Sequence, residues 1–472
     1  MATVSSILQV ILLILAVVMG FNIIIFVHEL GHFLAAKWRG LQIDRFQIWF
    51  GRPIWKKTIG GVQYGMGWIP AGGFVALPQM APMEALEGGS GDSKPLPAIT
   101  PLDKIIVAFA GPLFSMLLAL ASAVVVYEVG KPEDFIPTQV VGNVLESSPA
   151  EAAGIKPGDK IIAINGTPVN GFAGSLDSIT ENIILSKGKQ IEFLVERPGV
   201  AEPLKLTSEF KTEKTEWYQR SGLRQVGLGP EIDHIAITSV VEGSPAAKMG
   251  FKSGDELVSM NGLKFENDTE AVVSYIRENG TQPIQFEISR KGKIVTITAA
   301  PQVPLLPKGS KAMLGLAFSE SPYVKKGIIH PGPVKQVVDS LRMMWVTITS
   351  VIAKESSIGV GHLSGPVGIA TVQYELLQME DGWRRILAFM VLFNVNLAVL
   401  NMMPFPVLDG GHIVLAILEK IFGGPVKAKP LEILQTVCAL ALISLMLFVT
   451  SKDIGDKFGR GDRNEKVVFP AN

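Results

Sequence analysis

Four stretches of the chain are apolar for long enough to cross a bilayer. Ile7 to Val27 is nearly continuous, interrupted by Gln9 and Asn22; Ile105 to Val129 contains Gly111-Pro112; Ile386 to Met403 follows Trp383-Arg384-Arg385; and Leu431 to Val449 is the fourth. About 20 such residues in a helix span a hydrocarbon core of ~30 Å. The first stretch could instead be a signal peptide, but no Lys or Arg precedes Lys37, so the charged leader is missing.

Between the second and third stretches the pattern shortens to strand-like runs separated by turn signals, and it repeats. The segment Val144 to Gly166 recurs without a gap as Val240 to Gly262, with about half of the positions identical. In each copy Ser-Pro opens a short helix, because proline suits the first helical turn. Gly154 and Gly250 suit the helix C-cap. Gly158-Asp159 and Gly254-Asp255 mark a turn into an apolar strand, and Asn165-Gly166 and Asn261-Gly262 are hairpin signals. Two modules of one fold are expected.

Composition agrees with this division. Of 472 residues, 48% are hydrophobic and 18% charged, richer in apolar and poorer in charged residues than typical soluble chains. The formal net charge is zero, which gives no sign of a nucleic-acid partner, and the single cysteine, Cys438, excludes a disulfide framework within the chain. Lys37, Arg39, Arg45, Arg52, Lys56 and Lys57 crowd the exit of the first span, which places that side in the cytoplasm. The repeat modules and both termini then lie outside. The expected layout is span one at 1–37, a cytoplasmic-side loop at 38–104 and span two at 105–130. The modules follow at 131–222 and 223–308, with a linker of interfacial helices at 309–382. Span three at 383–404, a broken segment and loop at 405–430, span four at 431–450 and a tail at 451–472 complete it.

The candidate chemistry sits at the end of span one, in His28-Glu29-Leu30-Gly31-His32. Histidines four apart share a helix face and can reach one ion, while Glu29 lies beside them and can hold a water without being a ligand. Two histidines, a carboxylate and an open position describe a hydrolytic zinc site, in which zinc makes a water acidic and Glu29 can take its proton. Ionisable groups in a span are costly, on the order of 2.5–3.5 kcal/mol for a carboxylate at its centre. The best third ligand is Asp409, in Asn401-Met-Met-Pro404-Phe-Pro406-Val-Leu408-Asp409-Gly410-Gly411-His412. Prolines break span three there, and the glycine pair permits unusual backbone angles. Taken alone, Asp409 is also a reasonable helix N-cap, and His412 is a weaker ligand candidate.

Together the His28–His32 motif, the tandem repeats and Asn401 to Gly411 resemble the site-2 protease family of intramembrane metalloproteases, over nearly the whole chain. The repeats resemble PDZ domains in their bacterial protease form. The resemblance implies a membrane protein with a four-helix transmembrane core, a membrane-associated β-hairpin and two extracytoplasmic PDZ domains, mainly β with short helices. It implies His28, His32 and Asp409 as ligands of Zn2+ and Glu29 as the catalytic base. It also implies a bacterial inner-membrane location, with periplasmic PDZ domains and an active site toward the cytoplasmic side. The implied substrates are single-span membrane proteins already trimmed outside, such as an anti-sigma factor of envelope stress signalling, and leftover signal peptides.

Three regions extend the pattern. Gly61 to Phe74 is similar to the family hairpin, so Tyr64, Gly65 and Gly67 are expected to contact an extended substrate; a plain cytoplasmic hairpin is the alternative. Asn396 and Asn401 match the family's span-three asparagines near the zinc, where amides could hold the scissile carbonyl or simply bond between helices. His362 to Ala370 matches the segment after the second PDZ domain, and Pro333 to Ile352 reads as an interfacial helix. One departure is visible: Ser115 stands where the family usually has Asn, which predicts altered substrate or helix contacts without loss of catalysis. The PDZ pair could bind a peptide by strand addition or act as a spacer that excludes bulk.

Overall fold

A computed structural model of the chain describes residues 2–80, 99–265, 268–306, 309–424, 428–460 and 469–470. The chain divides into two compact units. The first contains residues 1–133, 327–349 and 360–454, and the second contains residues 134–326, 350–359 and 455–472.

In the first unit, four helices among the described residues are long and apolar enough to cross a membrane, at the four expected places. The motif helix, Ala2–Arg39, is unbroken through His28 and His32. It is about 57 Å long at 1.5 Å per residue, well beyond one bilayer core. The helix Pro101–Val129 is the hub, packing against the motif helix and against the helices Gly382–Asn401 and Asp409–Phe422. Its buried face is mostly small: Ala108, Ala110, Gly111, Ser115, Ala119, Ser122 and Ala123. Lipid tails are as apolar as a leucine side chain, so helices in a bilayer gain by close packing, which small residues permit. The backbones approach closely at Gly31, where a Cβ would lie 2.4 Å from the Ala110 carbonyl oxygen.

Polar contacts fix the hub to its neighbours. Thr100 and Asp103 form a reciprocal capping box at its start, and Arg39 Nε from the end of the motif helix reaches Asp103 Oδ1 at 2.6 Å. Lys104 Nζ meets Glu419 Oε2 on the Asp409–Phe422 helix at 2.7 Å.

The expected hairpin is Arg45–Ile59 with Val62–Ala76, turning at Gly60-Gly61. Its register is more folded than a simple hairpin, because residues 45–48 pair both with 63–66 and with 73–76. Strand segment 63–66 is therefore flanked on both sides, and among the described residues the outer edge of 73–76 has no strand partner.

In the second unit both repeats fold as mainly β modules with short helices. The first centres on a sheet of Thr167–Pro168, Lys160–Ile164, Gln190–Glu196 and Leu204–Glu209, in that order. The second has Lys293–Ala299, Ile284–Arg290, Glu256–Met260, Ile232–Val240 and Leu316–Pro322. The local signals act as their chemistry demands. Ser148 and Ser244 cap the helices Pro149–Ala152 and Pro245–Met249 through their hydroxyls. Asn165-Gly166 and Asn261-Gly262 both take positive φ, as a tight hairpin turn of this kind requires.

The closing strands lie later in the chain than the repeat boundaries suggest. Leu228–Pro230 pairs with Val141–Val144 of the first module, beyond residue 222, and Leu316–Pro322 pairs with Ile232–Val240 of the second, beyond residue 308. Alignment of the repeated segment could not show this, because each closing strand returns from outside that segment.

Each module also carries a buried clamp. Arg197 holds both oxygens of Asp159, at 2.7 and 2.8 Å, and the Gly154 carbonyl at 2.7 Å. Arg290 does the same to Asp255, at 2.7 Å to each oxygen, and to Gly250 at 2.8 Å. Burial alone would raise the pKa of each aspartate, but the guanidinium and a backbone N–H outweigh it and hold both carboxyls below their ordinary value. A depressed carboxyl stabilises the fold fully above the unfolded pKa of about 3.9 and loses that contribution as pH falls through the lower folded value. Protection of the module sheets against hydrogen exchange, relative to the intrinsic rate at each pH, is therefore expected to hold above pH ~4 and to fall below it. Substituting Asp159 by Asn should remove the first module's share of that acid dependence.

Candidate active site

The cavity of about 400 Å3 in the first unit is lined by His28, Glu29 and His32, by Gly72 to Val75, and by Asn401, Asp409 and His412, among others. Three donors converge there. His28 Nε2 lies 3.3 Å from Asp409 Oδ2, His32 Nε2 lies 3.4 Å from Asp409 Oδ1, and the two Nε2 atoms are 3.3 Å apart. A tetrahedral centre with bonds of ~2.0–2.1 Å has edges of about 3.3 Å, close to the spacing of the two nitrogens and of each nitrogen from the carboxylate oxygen it faces, Oδ2 for His28 and Oδ1 for His32. The three residues form the one group of its kind among the described residues.

The outer nitrogens are held so that Nε2 faces inward. His32 Nδ1 donates to the Val107 carbonyl at 2.8 Å; a carbonyl only accepts, so Nδ1 carries the proton and, in the neutral ring, Nε2 has the lone pair a metal needs. Val107 lies on the hub one turn before Pro112, which has no N–H to give the neighbouring Ala108 carbonyl. His28 Nδ1 lies 2.9 Å from Ser115 Oγ, and Ser115 is fully buried. Residue 115 thus touches a metal-ligand candidate, a closer role than the altered substrate or helix contacts expected for it. Such outer contacts are worth roughly 10–100-fold in metal affinity or activity. Ser115→Ala is expected to weaken zinc binding by about tenfold or more in chelator competition, while Ser115→Thr retains most of it.

Asp409 arrives by a specific backbone route. The helix Gly382–Asn401 ends before Pro404, and Asp409 is the first residue of the next helix, with Leu408 at the N-cap position. Asp409 is therefore not the cap; its carboxylate turns to the histidines. Gly410 and Gly411 have no positive φ, so the reason for them differs from the unusual angles expected. A Cβ at Gly410 would lie 2.2 Å from the Met402 carbonyl oxygen, and one at Gly411 2.0 Å from that of Phe405. The pair lets the incoming turn lie directly on the start of the helix. Gln435 Nε2, buried on the fourth apolar helix, donates to the Pro406 carbonyl at 3.2 Å and satisfies a backbone group freed by the turn.

The other expected positions separate. Asn401 lines the cavity with Nδ2 3.3 Å from His28 Nε2. Asn396 is not among the lining residues, and its Oδ1 is buried without a hydrogen-bond partner among the described residues. Asn394 turns into the packing and donates to the Met390 carbonyl. Tyr64, Gly65 and Gly67 do not line the cavity. Tyr64 packs on the Phe33 and Phe46 rings, Gly65 pairs with both Gln47 and Lys56, and Gly67 lies against the Trp49 and Phe50 carbonyls. The hairpin's lining residues are Phe50 and Gly72 to Val75, and among the described residues the outer edge of 73–76 has no strand partner. Gly73 abuts Glu29, where a Cβ would stand 3.1 Å from Glu29 Cγ. Its small size after Gly72 was the available sequence signal. Ser115 stood out only as a departure from the family's Asn, and the Lys104–Glu419 pair gave no signal, because its members are distant in sequence.

The peptidase family M50 model matches residues 16–445. The chain belongs to peptidase family M50. The Protease RseP of Yersinia pestis is 28% identical, covering 91% of this chain and 96% of that protein. The regulator of sigma-E protease RseP of Escherichia coli (strain K12) is 26% identical, covering 91% and 95%. A Pasteurella multocida protein named as a zinc metalloprotease is 29% identical, covering 92% and 96%. Among solved structures, the PDZ domain of an SdrC-like protein from Listeria monocytogenes is 17% identical and covers 18% of this chain and 87% of its own, with a TM-score of 0.17. As an M50 peptidase the protein is a membrane-embedded metalloprotease.

Proposed function

We propose that this M50 peptidase is a zinc-dependent intramembrane endopeptidase that cleaves single-span membrane proteins within the bilayer after a first cut elsewhere. The observation that carries this is the meeting of His28, His32 and Asp409 donors at 3.3–3.4 Å beside Glu29, in a cavity bordered by an unpaired strand edge. His28, His32 and Asp409 would hold the ion. When bound, zinc polarises a carbonyl and lowers the pKa of a water toward about 7.

The chain's own groups supply the rest. The free edge of residues 73–76 takes the substrate as an added strand, which satisfies backbone groups exposed when a transmembrane helix unwinds. That edge passes Glu29, so the bound segment lies across the carboxylate. Glu29 accepts a proton from the attacking water and returns it to the departing amine. The Asn401 amide is placed to hold the scissile carbonyl oxygen as charge develops on it.

The names of the RseP relatives point to sigma-E regulation, so an anti-sigma factor of envelope stress signalling is the first substrate class, with remnant signal peptides the second. The Lys/Arg cluster from Lys37 to Lys57 supports an orientation with that face, and the active site near it, toward the cytoplasm of a bacterial inner membrane and the repeat modules on the periplasmic side. Purified protein in detergent or liposomes is expected to cut a single-span substrate, to stop with 1,10-phenanthroline and to recover with zinc. Cleavage indifferent to chelation would overturn the reading.

A further inference from the structure

The second module carries an aromatic contact from the far end of the chain. Phe469 is buried, with 7% of its surface exposed. It lies at Gly315, where a Cβ would stand 3.1 Å from Phe469 Cε2 and 2.4 Å from Ser244 Cβ. Gly315 has φ +75° and accepts from Val241 N–H, while the Leu314 carbonyl accepts from Ala246 N–H, so this loop is fixed against the helix Pro245–Met249. Lys248 on that helix lies with Nζ 3.5 Å from the Pro470 carbonyl oxygen. Phe469 and the module belong to the same compact unit.

The first module has a groove at the matching place. Gly227 repeats the geometry of Gly315: φ is +86°, and a Cβ would lie 2.5 Å from Ser148 Cβ. Beside it is a groove of about 490 Å3, lined by Ser147, Ser148, Pro149 and Ala152 on one side and Thr207 and Phe210 on the other. Phe210 follows directly on the strand Leu204–Glu209 and packs on the module core. After the matching strand of the second module, Lys293–Ala299, the chain reads Ala300-Pro301-Gln302-Val303, with no aromatic residue. In the second module the aromatic ring beside Gly315 and Ser244 is Phe469, which comes from outside the module.

We propose that the C-terminal segment around Phe469-Pro470 is an intramolecular ligand of the second module, anchored by the Phe469 ring in the site formed by Gly315, Ser244 and Lys248. A buried aromatic ring is the usual kind of anchor for a short peptide contact. A ligand on the same chain meets its site at an effective concentration reaching the mM range for short tethers, so even a weak site stays filled. An aromatic-proline peptide from another protein would then have to displace the tail.

The test uses a fluorescent peptide of residues 464–472 and the full-length protein in detergent, read by anisotropy. The peptide is expected to bind a chain truncated after Arg463 at least about tenfold more tightly than the intact chain, whose site is already filled. Phe469→Ala in the intact chain should open the site to the wild-type peptide, and the same change in the peptide should cost about tenfold or more in Kd, the scale of losing one buried aromatic anchor. Hydrogen exchange at residues 241–250 and 313–316 should quicken in both altered chains. Equal binding to intact and truncated chains, or no binding to the truncated chain, would overturn the proposal. None of these readouts depends on proteolysis, so failure here leaves the catalytic reading standing.

Discussion

A Glu29→Gln protein is expected to keep its zinc and lose its cleavage. Glu29 sits in the cavity next to the three donors but is not one of the group that could hold the ion. Gln fills nearly the same volume and cannot take a proton. Loss of a positioned general base costs about 10²–10⁴-fold. Single-turnover cleavage of a single-span substrate, run alongside zinc content per chain, separates the two roles. A fall of that size with stoichiometric zinc supports the base. Loss of zinc would make Glu29 a ligand, and an unchanged rate would remove it from the mechanism.

Gly111→Ala should empty the site without unfolding the protein. A Cβ at position 111 would stand 2.1 Å from His32 Nε2, 2.5 Å from Cε1 and 2.8 Å from Cδ2. The obstacle is the end of a side chain, so the fold survives if the ring swings away. The ring then gives up both the position facing Asp409 and its bond to Val107. With one of three ligands displaced, zinc affinity should fall by more than about 100-fold, beyond the usual effect of an outer contact. Helical content and the thermal midpoint of the metal-free protein should change little. Gly111→Ala with wild-type zinc affinity would show that His32 does not bind through Nε2 in this geometry.

The spans were legible because twenty consecutive apolar residues have few other uses, and all four lie where the hydrophobic runs placed them. The short helices and Asn-Gly turns of the repeats were legible because each rests on a local steric rule. What escaped is non-local. The Asp159–Arg197 and Asp255–Arg290 clamps join residues that no periodicity links, and each closing strand comes from beyond its repeated segment. The histidine pair and Asp409 were named on chemistry, and the structure brings them together. Within the hairpin Tyr64, Gly65 and Gly67 are packed or paired while Gly72 to Val75 line the cavity, and a strand's own sequence does not reveal which edge is already paired. The sequence marks Gly410-Gly411 but not their purpose: their lack of a side chain serves close approach to the Met402 and Phe405 carbonyls and not unusual backbone angles.

The hub helix gives the enzyme a timetable as well as a scaffold. The motif helix and the Asp409–Phe422 helix both pack on Pro101–Val129, yet Asp409 is synthesised long after His32. At 5–20 residues per second that gap lasts on the order of 20–75 s. Through it the nascent chain holds two histidines and a glutamate in the membrane, with no carboxylate partner to complete the set. The hydrolytic centre therefore comes into being only as the last spans enter. An unfinished copy, lacking Asp409, is expected to be inert toward neighbouring membrane proteins.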